Sequence, residues 1–216
     1  PIAEEIVAAV QGHPNNPGKL SLEDLANYEA KEREAVCAPY RGLDVCGMGP
    51  PSSGALAIGQ ILGILSEFDL AGLGPEDPQG WRLIGDATRL AFADRGRYVA
   101  DGDFVDIPKG LLNPDYLKSR AALLKRPDAL PAEAAKAGDP PWDKAELRLD
   151  GVSLEVPSTS HFVIVDAEGN VASMTSSIEN GFGARLMTGG FLLNNQLTDF
   201  SFVPQQNSEA VANRVE

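Results

Sequence analysis

Residues 159–177 read TSHFVIVDAEGNVASMTSS, and the periodicity of the hydrophobic residues changes at the start of this stretch. Before Thr159 the pattern is mostly helical, whereas from Thr159 to Val165 the side chains alternate along a β-branched run. Alternation with a period of two is typical of a β-strand. Both faces of this strand are partly apolar, which predicts a sheet that is covered on both sides.

A tight turn follows this strand. Gly169 and Asn170 tolerate positive φ angles, so we expect residues 171–178 to pair antiparallel with the first strand. In such a hairpin Ser177 returns to Thr159, and the two hydroxyls come within hydrogen-bonding reach. Because Ser and Thr in strands are usually structural, the pair alone is weak evidence for function.

The composition predicts a globular protein without nucleic-acid or membrane partners. The chain has 216 residues and is 43% hydrophobic, enough for one domain with a sizeable core. Its formal net charge of -13 is repelled by phosphate backbones and by anionic membranes. No apolar run approaches the ~20 residues of a membrane span.

Cysteine and histidine are scarce. Cys37 and Cys46 are too few for a disulfide scaffold, and they can pair only if a turn brings the sulfurs together. Two separate buried thiols are the favoured interpretation, and pairing stays open. His13 and His161 are the only histidines and neither is near a cysteine, so we expect no metal site.

Helical periodicity dominates the first part of the chain. It predicts five helices: one at 3–11, one that begins after a capping box of Ser21 and Asp24, one that begins after Gly54, one at 77–100 and one from Asn113 to Leu123. In the longest helix we expect six residues to face the core: Trp81, Ile84, Ala87, Leu90, Ala91 and Tyr98. We expect four charged residues of the same helix to be solvated: Arg89, Asp94, Arg95 and Arg97. The pattern of residues 37–48 predicts a strand that is broken by Pro39 and Gly42. Residues 125–157 have no clear period and predict an exposed connector.

The loop GPPSSG at residues 49–54 precedes a helix. A glycine-rich loop at a helix N-terminus can hold an anion. This loop contains no Lys or Arg and its spacing fits no P-loop, so a structural turn and cap is favoured.

Several motifs together resemble the γ-glutamyltranspeptidase family of N-terminal-nucleophile hydrolases. They are GPPSSG at 49–54, AFADR at 91–95, TSH at 159–161, VD at 165–166 with GN at 169–170, FG at 182–183, LNNQ at 193–196 and DFS at 199–201. The match covers essentially the whole chain in order. The resemblance implies an α+β fold in one structural domain: a partial αββα sandwich with a helical first part followed by antiparallel strands.

The resemblance also implies processing. In that family a precursor cuts itself before a threonine, which here places the cut between Ser158 and Thr159. Residues 1–158 then form the C-terminal part of the large-subunit region, and 159–216 form the start of the small-subunit region of a heterodimer. The freed α-amine, with a pKa of about 7.7–8.0, can serve as base for the hydroxyl of Thr159. That hydroxyl would pass a γ-glutamyl group from glutathione or a relative to water, an amino acid or a peptide, without metal or organic cofactor.

Three further positions carry over from the family, and a fourth departs from it. Ser177 matches a hydroxyl that orients the nucleophile, and Gln196 and Asp199 match residues that bind the donor α-amino group. Glu179 departs from the pattern, because members often have Asn there. A second carboxylate either tightens the ammonium contact or shifts the substrate, so donor identity stays open.

Other family groups fall outside this sequence. An arginine for the donor α-carboxylate belongs before Pro1, and a Ser-Ser pair and a Gly-Gly oxyanion hole belong after Glu216. Each missing oxyanion donor costs ~10²–10³ in rate. We therefore expect this chain to be inactive alone, with its Ser158–Thr159 bond intact. The family resemblance implies a periplasmic or secreted location, and the chain itself shows no signal peptide.

Two alternatives stay open. A cephalosporin (glutaryl-type) acylase uses the same scaffold for donors without the α-amino group; Asp199 argues against it and Glu179 leaves it open. A non-catalytic binding or structural domain would keep only the fold. In that case replacing Thr159 by Ser would change neither maturation nor turnover.

Overall fold

Helices and short antiparallel strand pairs make up the computed structural model, which describes residues 1–142, 159–196 and 205–210. The helices are α1 (Ile2–Gln11), α2 (Leu22–Asn27), α3 (Gly54–Leu65), α4 (Leu70–Leu73), α5 (Pro78–Tyr98) and α6 (Pro114–Ala122). The strands are β1 (Ala35–Tyr40), β2 (Leu43–Met48), β3 (Thr159–Val165), β4 (Val171–Ser177), β5 (Met187–Thr188), β6 (Phe191–Leu192), β7 (Gln205–Gln206) and β8 (Glu209–Ala210). The strands form four separate two-stranded antiparallel sheets, β1 with β2, β3 with β4, β5 with β6 and β7 with β8.

The chain divides into two compact units, and the predicted organisation as one structural domain stays a prediction. One unit contains the described residues of 1–31 and 154–199, and the other those of 32–153 and 200–216. The subunit boundary predicted at Ser158–Thr159 concerns a covalent cut and stays a prediction. Within the described ranges, no helix combines the length and the hydropathy that a membrane crossing needs.

The second unit has a helical core. Helix α3 packs on α5, on α6 and on the β1–β2 hairpin. Its main apolar cluster consists of Ile64, Leu65, Leu83, Ala87, Leu90, Tyr116, Leu117, Ala121, Leu124 and Leu130. The predicted core face of α5 is confirmed for Ala87, Leu90, Ala91 and Tyr98. The prediction is wrong for Trp81, whose side chain is 65% exposed. Trp81 donates its indole N–H to the carbonyl of Pro75 at 2.9 Å.

Asp94 of α5 is buried, not solvated as the sequence predicts. It is 1% exposed. Its Oδ2 accepts hydrogen bonds from Gln60 Nε2 at 2.9 Å and from the Tyr116 hydroxyl at 2.6 Å. Its Oδ1 accepts from the Gly138 amide at 2.9 Å and from Arg120 Nη2 at 3.3 Å. Four donors from three segments (α3, α6 and the loop at Gly138) therefore converge on one carboxylate.

Helical spacing explains this burial. Asp94 lies four residues after Leu90 and four before Tyr98, on the core-facing stripe of α5. A buried carboxylate is tolerated only when it is paired and hydrogen-bonded, and Asp94 is both. Burial, followed by the charge of Asp94, raises the pKa of the Tyr116 phenol well above its ordinary value, so Tyr116 stays a donor.

The segment 125–142 is mostly exposed, as the sequence predicts, but it is joined to the helices at Leu130. Leu130 is buried, and its amide donates to Asp86 Oδ2 at 2.9 Å. Its carbonyl accepts from Arg89 Nη1 at 2.6 Å. The partners come from α5, so the segment's own aperiodic sequence carries no sign of them. Residues 143–157 of the predicted connector lie outside the described residues.

The β1–β2 hairpin corrects the prediction for the two cysteines. Arg41 and Gly42 have positive φ angles, +51° and +82°, and form a two-residue turn. That turn places Cys37 opposite Cys46, where they form a disulfide. Both cysteines are exposed, so the interpretation as separate buried thiols is wrong.

Pro39 lies inside β1 and does not break it. The Cα atoms of Cys37 and Cys46 are 4.0 Å apart, the short spacing of a non-hydrogen-bonded pair. Pro39 is two residues further along and pairs with Asp44 in the same way, so its missing N–H removes no ladder bond.

The glycine-rich loop leads into α3 as predicted, but the serine before the helix does not cap it. Ser53 is the N-cap residue and its side chain makes no cap hydrogen bond. Its hydroxyl instead accepts from Arg95 Nε at 2.9 Å. Arg95, predicted to be solvated, is therefore tied to this loop.

In the first unit, α1 and the capping box of Ser21 and Asp24 are confirmed. The hairpin of β3 and β4 is confirmed too, whereas the predicted cover on both faces is not found. Large apolar side chains of both strands are exposed: Phe162, Val163, Ile164, Val165, Val171 and Met174. No described element buries them.

Replacement of Asp94 by Ala should lower the free energy of unfolding by about 3–5 kcal/mol, because Arg120 is then buried without its partner. Urea unfolding followed by far-ultraviolet circular dichroism measures this change. Asp128→Ala, at an exposed loop position, is the control and should change stability by less than about 0.5 kcal/mol. Equal effects of the two substitutions would contradict the assigned role of Asp94.

Candidate active site

Two hydroxyls meet at the open end of the β3–β4 hairpin. The strands pair over seven positions, from Thr159 opposite Ser177 to Val165 opposite Val171. Thr159 Oγ1 donates a hydrogen bond to Ser177 Oγ at 3.0 Å. The predicted pairing and the predicted hydroxyl contact are both confirmed.

The turn at the other end sets this register. Asp166 Oδ1 accepts from the amides of Glu168 and Asn170, and Oδ2 accepts from the Asn170 side chain at 2.7 Å. These bonds, first that of the Asn170 side chain, lower the pKa of Asp166. Gly169 supplies a φ of +85°. A slip by one residue would turn every side chain to the opposite face, so this turn holds Thr159 and Ser177 on one face.

Ser177 also contacts the residue that follows the strand. Its Oγ accepts a second hydrogen bond, from the amide of Glu179 at 2.9 Å. The Ser177 oxygen is therefore held from two sides, by Thr159 and by the backbone after β4. This fixes the hydroxyl beside Thr159, and the orienting role of Ser177 stays a prediction.

Glu179 is buried without a polar partner. It has a φ of +68° and is 4% exposed. Both carboxylate oxygens are buried, and neither has a hydrogen-bond partner in the described part of the chain. An ionised carboxylate in such a place is strongly unfavourable unless a cation or a donor joins it. Glu179 is therefore the group in this unit best suited to bind one.

The LNNQ segment lies against the end of β4 through asparagine contacts. Asn195 donates its amide to the Ile178 carbonyl at 3.3 Å, and its Oδ1 accepts from the Asn180 amide at 3.1 Å. Asn194 Oδ1 accepts from the amide of Gln196 at 3.0 Å. The structure thus brings the segment carrying Gln196 to the residues that flank Glu179. Ser158 and Asp199 lie outside the described residues, so their predicted roles stay predictions.

Sequence reasoning missed the residues that hold this arrangement. Asn195 acts through the two hydrogen bonds above, and the repeated asparagine before Gln196 was the available signal. Gly183 has a φ of +53°, and a Cβ there would lie 2.1 Å from the Leu193 carbonyl oxygen. Only glycine fits this approach, which explains the FG motif at 182–183.

His161 contacts two hydroxyls of the neighbouring strand. Its Nδ1 lies 2.8 Å from Thr175 Oγ1, and its Nε2 lies 3.1 Å from Ser173 Oγ. Both contacts cross to β4 on the face that carries Thr159. No group of three or more possible metal ligands occurs among the described residues. The expectations of no metal and no cofactor stay predictions.

Comparison with known proteins identifies relatives along the whole chain. The family model for Gamma-glutamyltranspeptidase matches residues 1–216. The glutathione hydrolase proenzyme of Bacillus subtilis subsp. natto is 35% identical over 206 residues, which are 91% of this chain and 35% of that protein. The Acylase ACY 1 proenzyme of Pseudomonas sp. (strain V22) is 34% identical over 188 residues, 86% of this chain and 31% of that protein.

A solved structure agrees with the sequence comparison. The crystal structure of Helicobacter pylori gamma-glutamyltranspeptidase superposes with a TM-score of 0.59 at 35% identity, over 63% of this chain and 38% of that chain. The chain thus spans about a third of the length of the curated relatives it matches. The likenesses confirm the expected α+β fold of the N-terminal-nucleophile hydrolase type. The chain belongs to the γ-glutamyltranspeptidase family of enzymes.

Proposed function

We propose that the protein transfers γ-glutamyl groups from glutathione or a related amide to water, an amino acid or a peptide, through an ester on Thr159. The observation that carries this proposal is the 3.0 Å hydrogen bond between the hydroxyls of Thr159 and Ser177 at the head of a defined strand. A nucleophile held by a neighbouring group at this distance is the arrangement that covalent catalysis requires.

The first step is self-cleavage at Ser158–Thr159. Thr159 Oγ attacks the Ser158 carbonyl carbon, the C–N bond breaks, and the acyl group moves from nitrogen to oxygen. Water then hydrolyses the ester, which leaves a carboxylate on Ser158 and a free α-amine on Thr159. The proenzyme names of the relatives support this step. It divides the protein into the large and small subunits of the proposed heterodimer.

The freed amine is the base in turnover. It takes the proton of Thr159 Oγ, and the oxygen attacks the γ-carbonyl carbon of the donor. The amide nitrogen of the donor leaves with a proton, and a γ-glutamyl ester stays on Thr159. Water or the amine of an acceptor then attacks this ester and regenerates the hydroxyl. Ser177, held by the Glu179 amide, keeps the nucleophile in one orientation throughout.

Glu179, Gln196 and Asp199 are proposed to bind the donor α-amino group. The buried, unpartnered carboxylate of Glu179 supports this assignment, because an ammonium would satisfy it. Binding of a donor without that ammonium would leave the charge unpaired, so the pocket selects γ-glutamyl over glutaryl groups.

Activity and location are proposals for the whole protein. Since this chain spans about a third of its relatives' length, we propose that the 216 residues alone do not turn over a donor. The proposed location is the periplasm or the outside of the cell. The Cys37–Cys46 disulfide supports it, because disulfides persist in oxidising compartments.

A glutaryl-type acylase is the second candidate, favoured by the likeness to Acylase ACY 1 proenzyme. The two candidates share the nucleophile and differ in the donor. The buried charge of Glu179 favours the first, because a glutaryl group brings no cation to it.

Thr159→Ala should abolish self-cleavage of the full-length protein, because no hydroxyl is left to attack Ser158. Thr159→Ser should retain cleavage at a changed rate. Ser160→Ala, on the opposite face of β3, is the matched control and should leave cleavage unchanged. Intact mass spectrometry reads the result. Unchanged maturation and turnover in Thr159→Ser, with persistent cleavage in Thr159→Ala, would favour the non-catalytic alternative.

Glu179→Gln should raise KM for a γ-glutamyl anilide by about 10–100-fold, because a charged hydrogen bond to the donor ammonium is lost. Hydrolysis of a glutaryl anilide should be unchanged or faster. Steady-state kinetics of the full-length protein with both anilides measure this. Glu168→Gln, in the exposed turn, is the control and should change neither. Preference of the unmodified protein for the glutaryl anilide would support the acylase instead.

The same substitution should stabilise the protein when no donor is bound. Glu179→Gln removes a buried carboxylate that has no partner among the described residues, so the free energy of unfolding should rise by about 1–3 kcal/mol. Denaturant unfolding, with Glu168→Gln as reference, gives the difference. A loss of stability in Glu179→Gln would show that the carboxylate already has a partner in the folded chain.

A further inference from the structure

The exposed disulfide of the β1–β2 hairpin has no part in the proposed catalysis. Cys37 and Cys46 lie directly opposite each other near the middle of the two strands. Both are exposed, so small thiols can reach the sulfurs. The neighbouring position Ala38 is buried on the other face of the hairpin.

That other face packs on α3 through small residues. A Cβ at Gly59 of α3 would lie 2.9 Å from the Cβ of Ala38, and one at Gly47 of β2 would lie 3.2 Å from the Cβ of Ala55. The hairpin thus sits close on the helix while burying few large side chains. Strands β1 and β2 pair only with each other among the described residues. A two-stranded sheet of this kind is marginal without further support, and the disulfide supplies it.

We propose that the Cys37–Cys46 disulfide is a redox-sensitive lock that holds the β1–β2 hairpin on α3. Two molecules of a small thiol open it: their sulfurs join in a new disulfide, and two electrons and two protons pass to Cys37 and Cys46. Reduction loosens the hairpin and the 49–53 loop that follows β2. The Asp94 network joins α3, α5 and α6 through residues outside the hairpin and stays closed.

Hydrogen exchange measured by mass spectrometry tests the lock on the purified protein, with and without dithiothreitol. Reduction should lower amide protection in peptides covering 35–48 by about thirtyfold or more, the effect of a typical disulfide. Peptides of α5 and α6 should keep their protection. The double variant Cys37→Ser and Cys46→Ser is the control; it should show the reduced pattern in both conditions.

Three results would overturn the proposal. One is free thiols on both cysteines in protein purified without reductant, found by alkylation and mass spectrometry. Another is equal exchange of 35–48 in the oxidised and reduced protein. The third is an equal loss of protection in α5 and α6, which would make the disulfide a general stabiliser and not a lock on one hairpin.

Discussion

The buried carboxylate of Asp94 is the contact on which the helical unit depends. It receives hydrogen bonds from α3, from α6 and from the segment at Gly138, and it neutralises Arg120. These elements are distant in sequence. The Asp94 carboxylate therefore joins α3, α5, α6 and the loop at Gly138 in a single core. If any of its four donors moved away, the buried charge would lose a hydrogen bond.

Glu179 is the opposite case, and the contrast separates a structural carboxylate from one that is proposed to bind the donor. Both are buried, yet Asp94 has four donors and Glu179 has none among the described residues. A folded chain that keeps an unsatisfied carboxylate loses stability, and a ligand that satisfies it recovers that loss on binding. Since the amide of Glu179 also holds Ser177, the same residue links the proposed donor pocket to the nucleophile.

Local rules predicted the parts of the fold that are set by neighbouring residues. The capping box at Ser21, the turn at Gly169 and the register of Thr159 with Ser177 all follow from short-range chemistry. Contacts between distant residues were not readable. The burial of Asp94, the contacts of Leu130 and the cysteine pairing each depend on where another element lies. Glu179 is buried and has a positive φ, which no local pattern indicates for a non-glycine residue.

The central claim is that Thr159 carries the acyl group, and trapping the ester tests it most directly. The full-length protein would be mixed with a γ-glutamyl donor, quenched in acid within one turnover, digested and analysed by mass spectrometry. The account predicts one added γ-glutamyl group, located on the peptide whose first residue is Thr159. A γ-glutamyl group on any other residue, or turnover without any covalent adduct under conditions that slow ester hydrolysis, would contradict it.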